Sequence, residues 1–426
     1  MAQNVAEKFL KDSAAKSFHQ RHREIINTNI DKYNTAFERG KSKFFNLENS
    51  RKKANIIKWK VMENLDRYLL DFESNFQKRG GKVIWANDAE EARQEIVKIM
   101  ERHQAQCVAK SKSMVAEEIA LHHFLKTQNV DIFDYTSLDT SAESLTDEQA
   151  IEAQKLLREQ YTIADIGITA ANFIIADTGS IAITDNEGNA RLSATFPKIH
   201  IALVGIEKVI PSINDLDLFW PLLASHGTGQ NLTVYNTVLS GPRQPHETDG
   251  PEEMYVILLD NGRSNLLIKN DQRQALYCIC GEVCLSTCPT YQNIPDQAYD
   301  TSYHTLINSL VPARLNSISE FKHPAYVSPL SGDGLDACAI GIDYRRLALL
   351  NRRDSVQHSL ISKTDKRTWK LFTYIMLRRR LIDFFGGKTK NFFLRNFFKK
   401  TWQKYGELPK LADKSFSKQW KEQNKE

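Results

Sequence analysis

Four of the six cysteines lie within eleven residues, in the run ALYCICGEVCLSTCPTY. They are Cys278, Cys280, Cys284 and Cys288, and Pro289 follows at once. Thiolates are soft donors that suit zinc or iron–sulfur clusters. The bacterial ferredoxin run is C-x2-C-x2-C-x3-C-P. Here the first, third and fourth cysteines keep that register, at offsets 0, 6 and 10, whereas the second stands at offset 2 instead of 3. So tight a cluster reads as metal or cluster ligation rather than as a disulfide framework. Zinc stays open, although zinc sites usually pair two separated knuckles and this chain has one. A degenerate former site and other thiol chemistry stay open as well.

In two-cluster ferredoxins the fourth cysteine of each run ligates the other cluster. A second run is therefore sought downstream. The stretch YVSPLSGDGLDACAIGIDY, 326–344, holds only Cys338. Counting back ten, seven and four residues from Cys338 gives Ser328, Ser331 and Gly334, and Ala339 stands where proline is usual. This second motif reads as a remnant. Exchange of ligands between runs then assigns Cys278, Cys280, Cys284 and Cys338 to one [4Fe–4S] cluster and leaves Cys288 alone for another. One cluster is expected and a second is not. The displaced Cys280, about 3 Å out along an extended chain, must be accommodated by Gly281-Glu282-Val283.

Other chemistry is sparser. In DTGS, Thr178, Gly179 and Ser180 offer hydroxyls and a close backbone approach to an anion or substrate. Asn186 and Asn189 of NEGN form a second turn, so that the two turns together could rim a pocket; ordinary hairpin turns are the competing reading. TGQN (228–231) is a third glycine turn. His200 opens an apolar strand and reads as a core histidine, and Cys107 as a buried structural thiol. His122 and His123 are adjacent on a helix and cannot share a face. No G-x-S-x-G, H-E-x-x-H or Walker pattern occurs, and Gly332 and Gly334 lack the spacing of a dinucleotide site. No catalytic acid–base set is legible.

The elements that must position these residues follow from the pattern. With 426 residues, two or three domains are expected, and 41% hydrophobic with 26% charged residues describes a globular chain. No apolar run is long enough to span a bilayer. The N-terminal sequence lacks a secretory pattern, so a cytoplasmic location is expected. Residues 1–80 form a helical region that overlaps an α/β domain placed at 50–262. There KVIWA, QCVAKS and VDIFDY are expected as strands alternating with helices over 89–103 and 114–127. A polar entry at 139–161 leads into a further helix. ANFIIA, SIAIT, IHIALVG, LTVYNTVL and EMYVILLD follow as strands, with a helix over 213–225 that Pro221 could bend. A helical, loop-rich, ferredoxin-like domain is expected over 263–360.

The last region, 361–426, is basic and aromatic. Residues 366–402 hold eleven Lys or Arg against one acid, Asp383, so the net charge of +5 lies in this segment and the remainder is net acidic. A helix pair packed on the cluster domain with a solvated basic face is expected. Peripheral contact of 366–402 with an anionic membrane is the next reading, and nucleic acid is not expected as a partner.

The chain resembles the lactate utilisation protein B family, iron–sulfur proteins of bacterial L-lactate oxidation. The resemblance runs from about residue 50 onward. It is carried by SKSMVAEEI (111–119), ADIGITAANFIIADTGSI (164–181), NEGNARL (186–192), HIALVGIEKVIP (200–211), TGQNLTVYNTVLSGPR (228–243), DGPEEMYVILLDNGRS (249–264), the cysteine run and PKLADKSFSKQW. It implies an α/β fold similar to ribose-phosphate isomerases and CoA transferases. It also implies an electron-passing role in a three-protein complex that oxidises lactate to pyruvate, with the other subunits as partners. The chain departs from the family in its single, shifted cysteine motif and in a shorter link between 135 and 150. The alternative is a non-redox assembly subunit whose cysteines are relics or hold zinc.

Overall fold

The computed structural model describes residues 11–15, 19–134, 155, 158–281, 283–293, 323–384, 386–398, 408 and 410–424. Helices α1 (Gln20–Lys41), α2 (Leu47–Glu63) and α3 (Leu65–Lys78) precede the sheet. The Asn46 side chain caps α2 by accepting from the Asn49 amide at 2.9 Å. In α3, Leu65, Leu69, Phe72 and Phe76 recur at helical spacing and are buried. The α/β part follows as β1 (Lys82–Ala86), α4 (Ala89–Arg102), β2 (Cys107–Lys110), α5 (Met114–Glu118), α6 (Leu121–Thr127), β3 (Asp131–Asp134), β4 (Ile166–Ala170), β5 (Phe173–Ile175), β6 (Ser180–Asp185), α7 (Asn189–Thr195), β7 (Ile199–Gly205), β8 (Val209–Ile210), α8 (Leu216–Gly227), β9 (Tyr235–Leu239) and β10 (Glu253–Leu259).

Six strands form a sheet in the order β1-β10-β7-β4-β2-β3, and every pairing in it is parallel. A parallel sheet is covered on both faces, so its strands are apolar on both sides. The alternation is visible in β7 and β10. Ile199, Ile201, Leu203, Tyr255, Ile257 and Leu259 pack with α4–α6, against Ile96, Ile99, Leu121 and Leu125. Ala202, Val204, Met254, Val256 and Leu258 join the opposite core with α2, α3 and α8. A smaller sheet, β8-β5-β6-β9, holds the β5–β6 antiparallel hairpin.

Three expectations change. The helix expected over 114–127 is broken, with Ala120 in the left-handed region at φ 49°. Ala116, Ile119, Leu121 and Leu125 are all buried in one core. On a continuous helix Ile119 and Leu121 would point nearly opposite ways, and the break turns both inward. The helix at 213–225 begins as a 3-10 turn, Ile213–Asp215, before α8, with Pro221 inside α8. The sequence pattern does not predict strand β4 or helix α7. Gly167 lies in β4 where a Cβ would fall 1.6 Å from the Ser193 carbonyl oxygen of α7, so the two elements pack backbone to backbone.

After β10 come α9 (Arg263–Leu267), a 3-10 turn (Arg273–Tyr277), α10 (Val283–Ser286), α11 (His323–Val327), α12 (Asp333–Ala337) and α13 (Tyr344–Gln357). The chain divides into two compact units, Met1–Ser355 and Val356–Glu426. The second contains α14 (Lys363–Met376), α15 (Arg379–Phe384), α16 (Gly387–Phe393) and α17 (Phe416–Gln423). Within it Trp369 meets Phe372 edge to face at 5.7 Å, and the Asn391 side chain is bonded twice to the Leu411 backbone at 2.8 Å. Residues 139–154 and Trp402 lie outside the described residues, as do the Phe385, Phe397 and Phe398 side chains. No helix among the described residues is long and apolar enough to cross a membrane.

Candidate functional site

From β2 the chain adds β3 on one side, and then returns to add β4, β7 and β10 in turn on the other. Strand order therefore reverses between β2 and β4. In open α/β sheets the crevice outside the carboxyl ends of the strands at such a point is where ligands bind. A cavity of about 410 Å³ lies there. Its walls are Ser111–Val115 after β2, Ala170–Asn172 at the end of β4, and Val204, Gly205, Glu207 and Lys208 at the end of β7. Another wall is Cys278, Ile279 and Cys280.

Charge is concentrated at this edge. Arg263 is buried, and its guanidinium donates to the Glu118 carboxylate at 2.8 and 2.9 Å and to Glu207 Oε2 at 2.6 Å. Asn261 Nδ2 adds a bond to Glu118 at 2.5 Å. A buried ion network holds only when each charge is paired and hydrogen-bonded, as here. Lys58 of α2 is buried and donates to the Glu207 and Val209 carbonyls. Burial, aided by the nearby Lys208 ammonium, lowers the Lys58 pKa to about 7. Lys208 Nζ lies 3.2 Å from both the Cys278 carbonyl and Cys280 Sγ. Burial opposes its charge, but Cys280, Glu207 and Cys278 together hold its pKa above the ordinary lysine value. Lys208 thus ties the α/β part to the cysteine loop.

None of the six cysteines is in a disulfide. The hydrogen bond with Cys280, and then burial, push the Cys278 thiol well up. The Cys280 amide donates to Cys278 Sγ at 3.4 Å, and Cys280 itself is left-handed at φ 63°. Cys284 and Cys288 are buried, on and just after α10. Helix α10 packs on α12, and Cys338 follows α12. Cys278, Cys284, Cys288 and Cys338 share one apolar cluster. Arg51 of α2 fixes this second segment by donating to the Cys338 and Leu335 carbonyls at 2.8 and 2.7 Å. Among the described residues, no group of three or more His, Cys, Asp or Glu stands close enough to hold a metal ion. Thiols are the donor type that an iron–sulfur cluster takes; Cys278, Cys284 and Cys338 lie in the apolar cluster, and Cys280 stands beside Lys208.

The two turns part company. Asn186 and Asn189 line the cavity, where Asn189 Nδ2 donates to Glu187 at 2.8 Å. Thr178, Gly179 and Ser180 are not among its lining residues. Ser180 Oγ lies 2.8 Å from Ser240 Oγ. Gly179, at φ 60°, abuts α3, where a Cβ would stand 2.2 Å from the Phe76 amide nitrogen. His200 is a core residue bonded through Nε2 to Thr169 Oγ1 at 2.8 Å, and burial lowers its pKa to about 3. Cys107 is half-buried rather than buried: it opens β2, where its thiol meets Asp165 Oδ2 at 3.3 Å. The sequence pattern does not single out Glu118, Glu207, Lys208 or Arg263. The available signal was that GIEK and NGRS place charges directly after buried strands.

Comparison with known proteins identifies the family of this α/β chain. Residues 69–259 match the LUD domain family. The chain is 32% identical over 385 residues to "Lactate utilization protein B" of Shouchella clausii, covering 82% of this chain and 81% of that one. It is 33% identical over 361 residues to "Uncharacterized electron transport protein YkgF" of Escherichia coli, covering 77% and 76%. The chain belongs to the lactate utilization protein B family. A crystal structure of a DUF162 family protein from Deinococcus radiodurans is also similar, at 18% identity and a TM-score of 0.32 over 46% of this chain and 98% of that one; so slight a likeness carries no inference.

Proposed function

We propose that this chain is the iron–sulfur electron-transfer subunit of a system that oxidises L-lactate to pyruvate, and that it holds one [4Fe–4S] cluster on Cys278, Cys280, Cys284 and Cys338. The observation that carries this reading is the shared wall: the cysteine loop lines the cavity at the switch point, and Lys208 contacts the backbone of one cysteine and the sulfur of another. The names borne by the two relatives, lactate utilization and electron transport, agree with it.

When bound, such a cluster takes up and releases single electrons. The residues around it have definable tasks. Lys208 places a cation beside Cys280, which favours the more negatively charged, reduced state of anything the thiolates hold. The Cys280 amide donates to Cys278 Sγ, and hydrogen bonds to sulfur act in the same direction. Arg51 and Asn55 hold the 335–340 backbone against α2. The cavity, with Asn186 and Asn189 on its wall, would admit the molecule that exchanges electrons at this loop. Cytoplasmic location, docking to the other subunits and contact of 366–402 with an anionic membrane belong to the same proposal.

The competing reading is a non-redox assembly subunit whose cysteines are relics or hold zinc. It is favoured by the absence, among the described residues, of three converged metal donors. Anaerobic reconstitution with iron and sulfide, followed by reduction and EPR, separates the two. About four iron and four sulfide per chain, lost on Cys338→Ala, is the expected result. No iron, with or without zinc, leaves the assembly reading.

A further inference from the structure

We infer that Ser328, Ser331 and Gly334, together with Cys288, are the relic of a second cluster site, so that the relay in this chain is one station long. The inference adopts the ligand exchange of the proposed function but stands on a different part of the molecule.

The first observation is that the two runs share a local fold. In the cysteine run, the residue two places after Cys278 is left-handed, Cys280 at φ 63°, and its amide donates to Cys278 Sγ at 3.4 Å. In the second run, the residue two places after Ser328 is left-handed, Leu330 at φ 57°, and its amide donates to Ser328 Oγ at 3.3 Å. A bulky residue in this region is uncommon, so its repetition at the same offset marks the same turn. Each turn is followed at the same distance by a short helix, α10 or α12, and the residue at offset 6 lies on it: Cys284 in one run, Gly334 in the other. Each helix is followed at offset 10 by a cysteine, Cys288 or Cys338. The correspondence sets Ser328 against Cys278 and Gly334 against Cys284.

The second observation is the exchange itself. Cys288, the last cysteine of the first run, shares a cavity with Ser328, Ser331 and Gly334 of the second. This is the grouping that ligand exchange between two ferredoxin runs requires. The donors do not fit a cluster there: one thiol faces two hydroxyls and a residue with no side chain. The cavity measures about 10 Å³, room for roughly one water. Leu335, Tyr344 and Arg345 close it, and Arg345 reaches to 2.9 Å from where a Gly332 Cβ would stand. No electron step passes through this place in the chain as it is. An electron reaching the first site must leave to a carrier on another molecule.

Refitting the donors tests this. Wild type, S328C/S331C/G334C, and that triple variant with Arg345→Ala would be reconstituted anaerobically with iron and sulfide, and iron counted per folded chain. About four iron is expected for wild type and about eight for the refitted chain lacking Arg345, the gain disappearing when Cys288→Ala is added. A refitted, folded chain that stays at the wild-type count, or a gain that survives Cys288→Ala, overturns the inference. So does a wild-type count near eight. A wild type without iron whose refitted form gains about four through Cys288 would overturn the proposed function and leave the relic standing. Should the triple variant not fold, S328C/S331C leaves the α12 glycine in place and offers three thiolates with Cys288. About three further iron is then expected, and none would refute the relic.

Discussion

The two cavities beside the cysteine loops differ in nearly every respect. The larger, about 410 Å³, opens at the strand ends and gathers Glu118, Glu207, Lys208 and Arg263. The smaller, about 10 Å³, is closed by Leu335, Tyr344 and Arg345 and keeps a single thiol. Yet both rest on the same kind of turn and short helix. The backbone of a ligand loop is held by its own hydrogen bonds and by packing between α10 and α12, so it persists when the donor atoms change. Donor atoms alone decide what it can hold. Their loss on one side leaves the thiols Cys278 and Cys280 at the side facing the sheet.

The largest expected effect breaks the symmetry between the runs outright. Cys284→Ala and Cys338→Ala should each lose essentially all reconstituted iron, whereas Cys288→Ala should keep it, as read by iron and sulfide counts on folded protein. Equal loss in all three would mean that the exchange of ligands has been misassigned. Next comes the large cavity's ion network. Arg263→Leu leaves Glu118 and Glu207 buried with their shared cation gone, and should cost about 3–5 kcal/mol in denaturant unfolding. A loss below about 1 kcal/mol would show that water reaches these carboxylates.

A third outcome concerns the strand beneath that cavity. His200 stays neutral in the folded chain down to about pH 3, whereas an unfolded histidine binds its proton near 6.5. The unfolded state therefore holds more protons between these values, and stability falls as pH drops through that window, by at most about 1.4 kcal/mol per pH unit from this residue. His200→Gln, which keeps a hydrogen-bonding side chain for Thr169, should flatten the decline between pH 6 and 4 by that amount. Unchanged pH dependence would place the titration elsewhere. The smallest effect is at the closed cavity. Arg345 is a partly exposed side chain at 3.6 Å from Asp343, and Arg345→Ala should change stability by under about 0.5 kcal/mol. A larger loss would make Arg345 a structural plug rather than a lid of convenience.

Much of this architecture was legible because a buried parallel sheet writes itself as short apolar runs. KVIWA, IHIALVG and EMYVILLD became β1, β7 and β10. Strand β4 was not legible: Gly167 and Ala170 are poor strand residues, and the close approach of α7 that Gly167 permits is a tertiary contact. The break at Ala120 needed knowledge of where the core lies, which periodicity within one helix does not contain. The cysteine runs were readable from spacing, because metal ligation is a local demand on the chain. The charged edge was not, since Arg263 meets Glu118 from 145 residues away. Turn composition likewise located both DTGS and NEGN as turns, but could not say that only NEGN borders the cavity.

One pairing in the sheet governs the order in which the molecule can be made. Edge strand β1 is parallel to β10, with Lys82 opposite Tyr255. Loop closure over so long a stretch is slow, and a chain emerging from the ribosome at about 5–20 residues per second keeps β1 waiting for about ten seconds or more. During that interval β1 has no strand partner in the sheet, and its apolar face invites other contacts. The cysteine run is synthesised only after β10, the last strand of the sheet. Folding of the thiol loop is thereby placed after synthesis of the wall it leans on, which gives biosynthesis a built-in sequence: scaffold first, cysteine loop second.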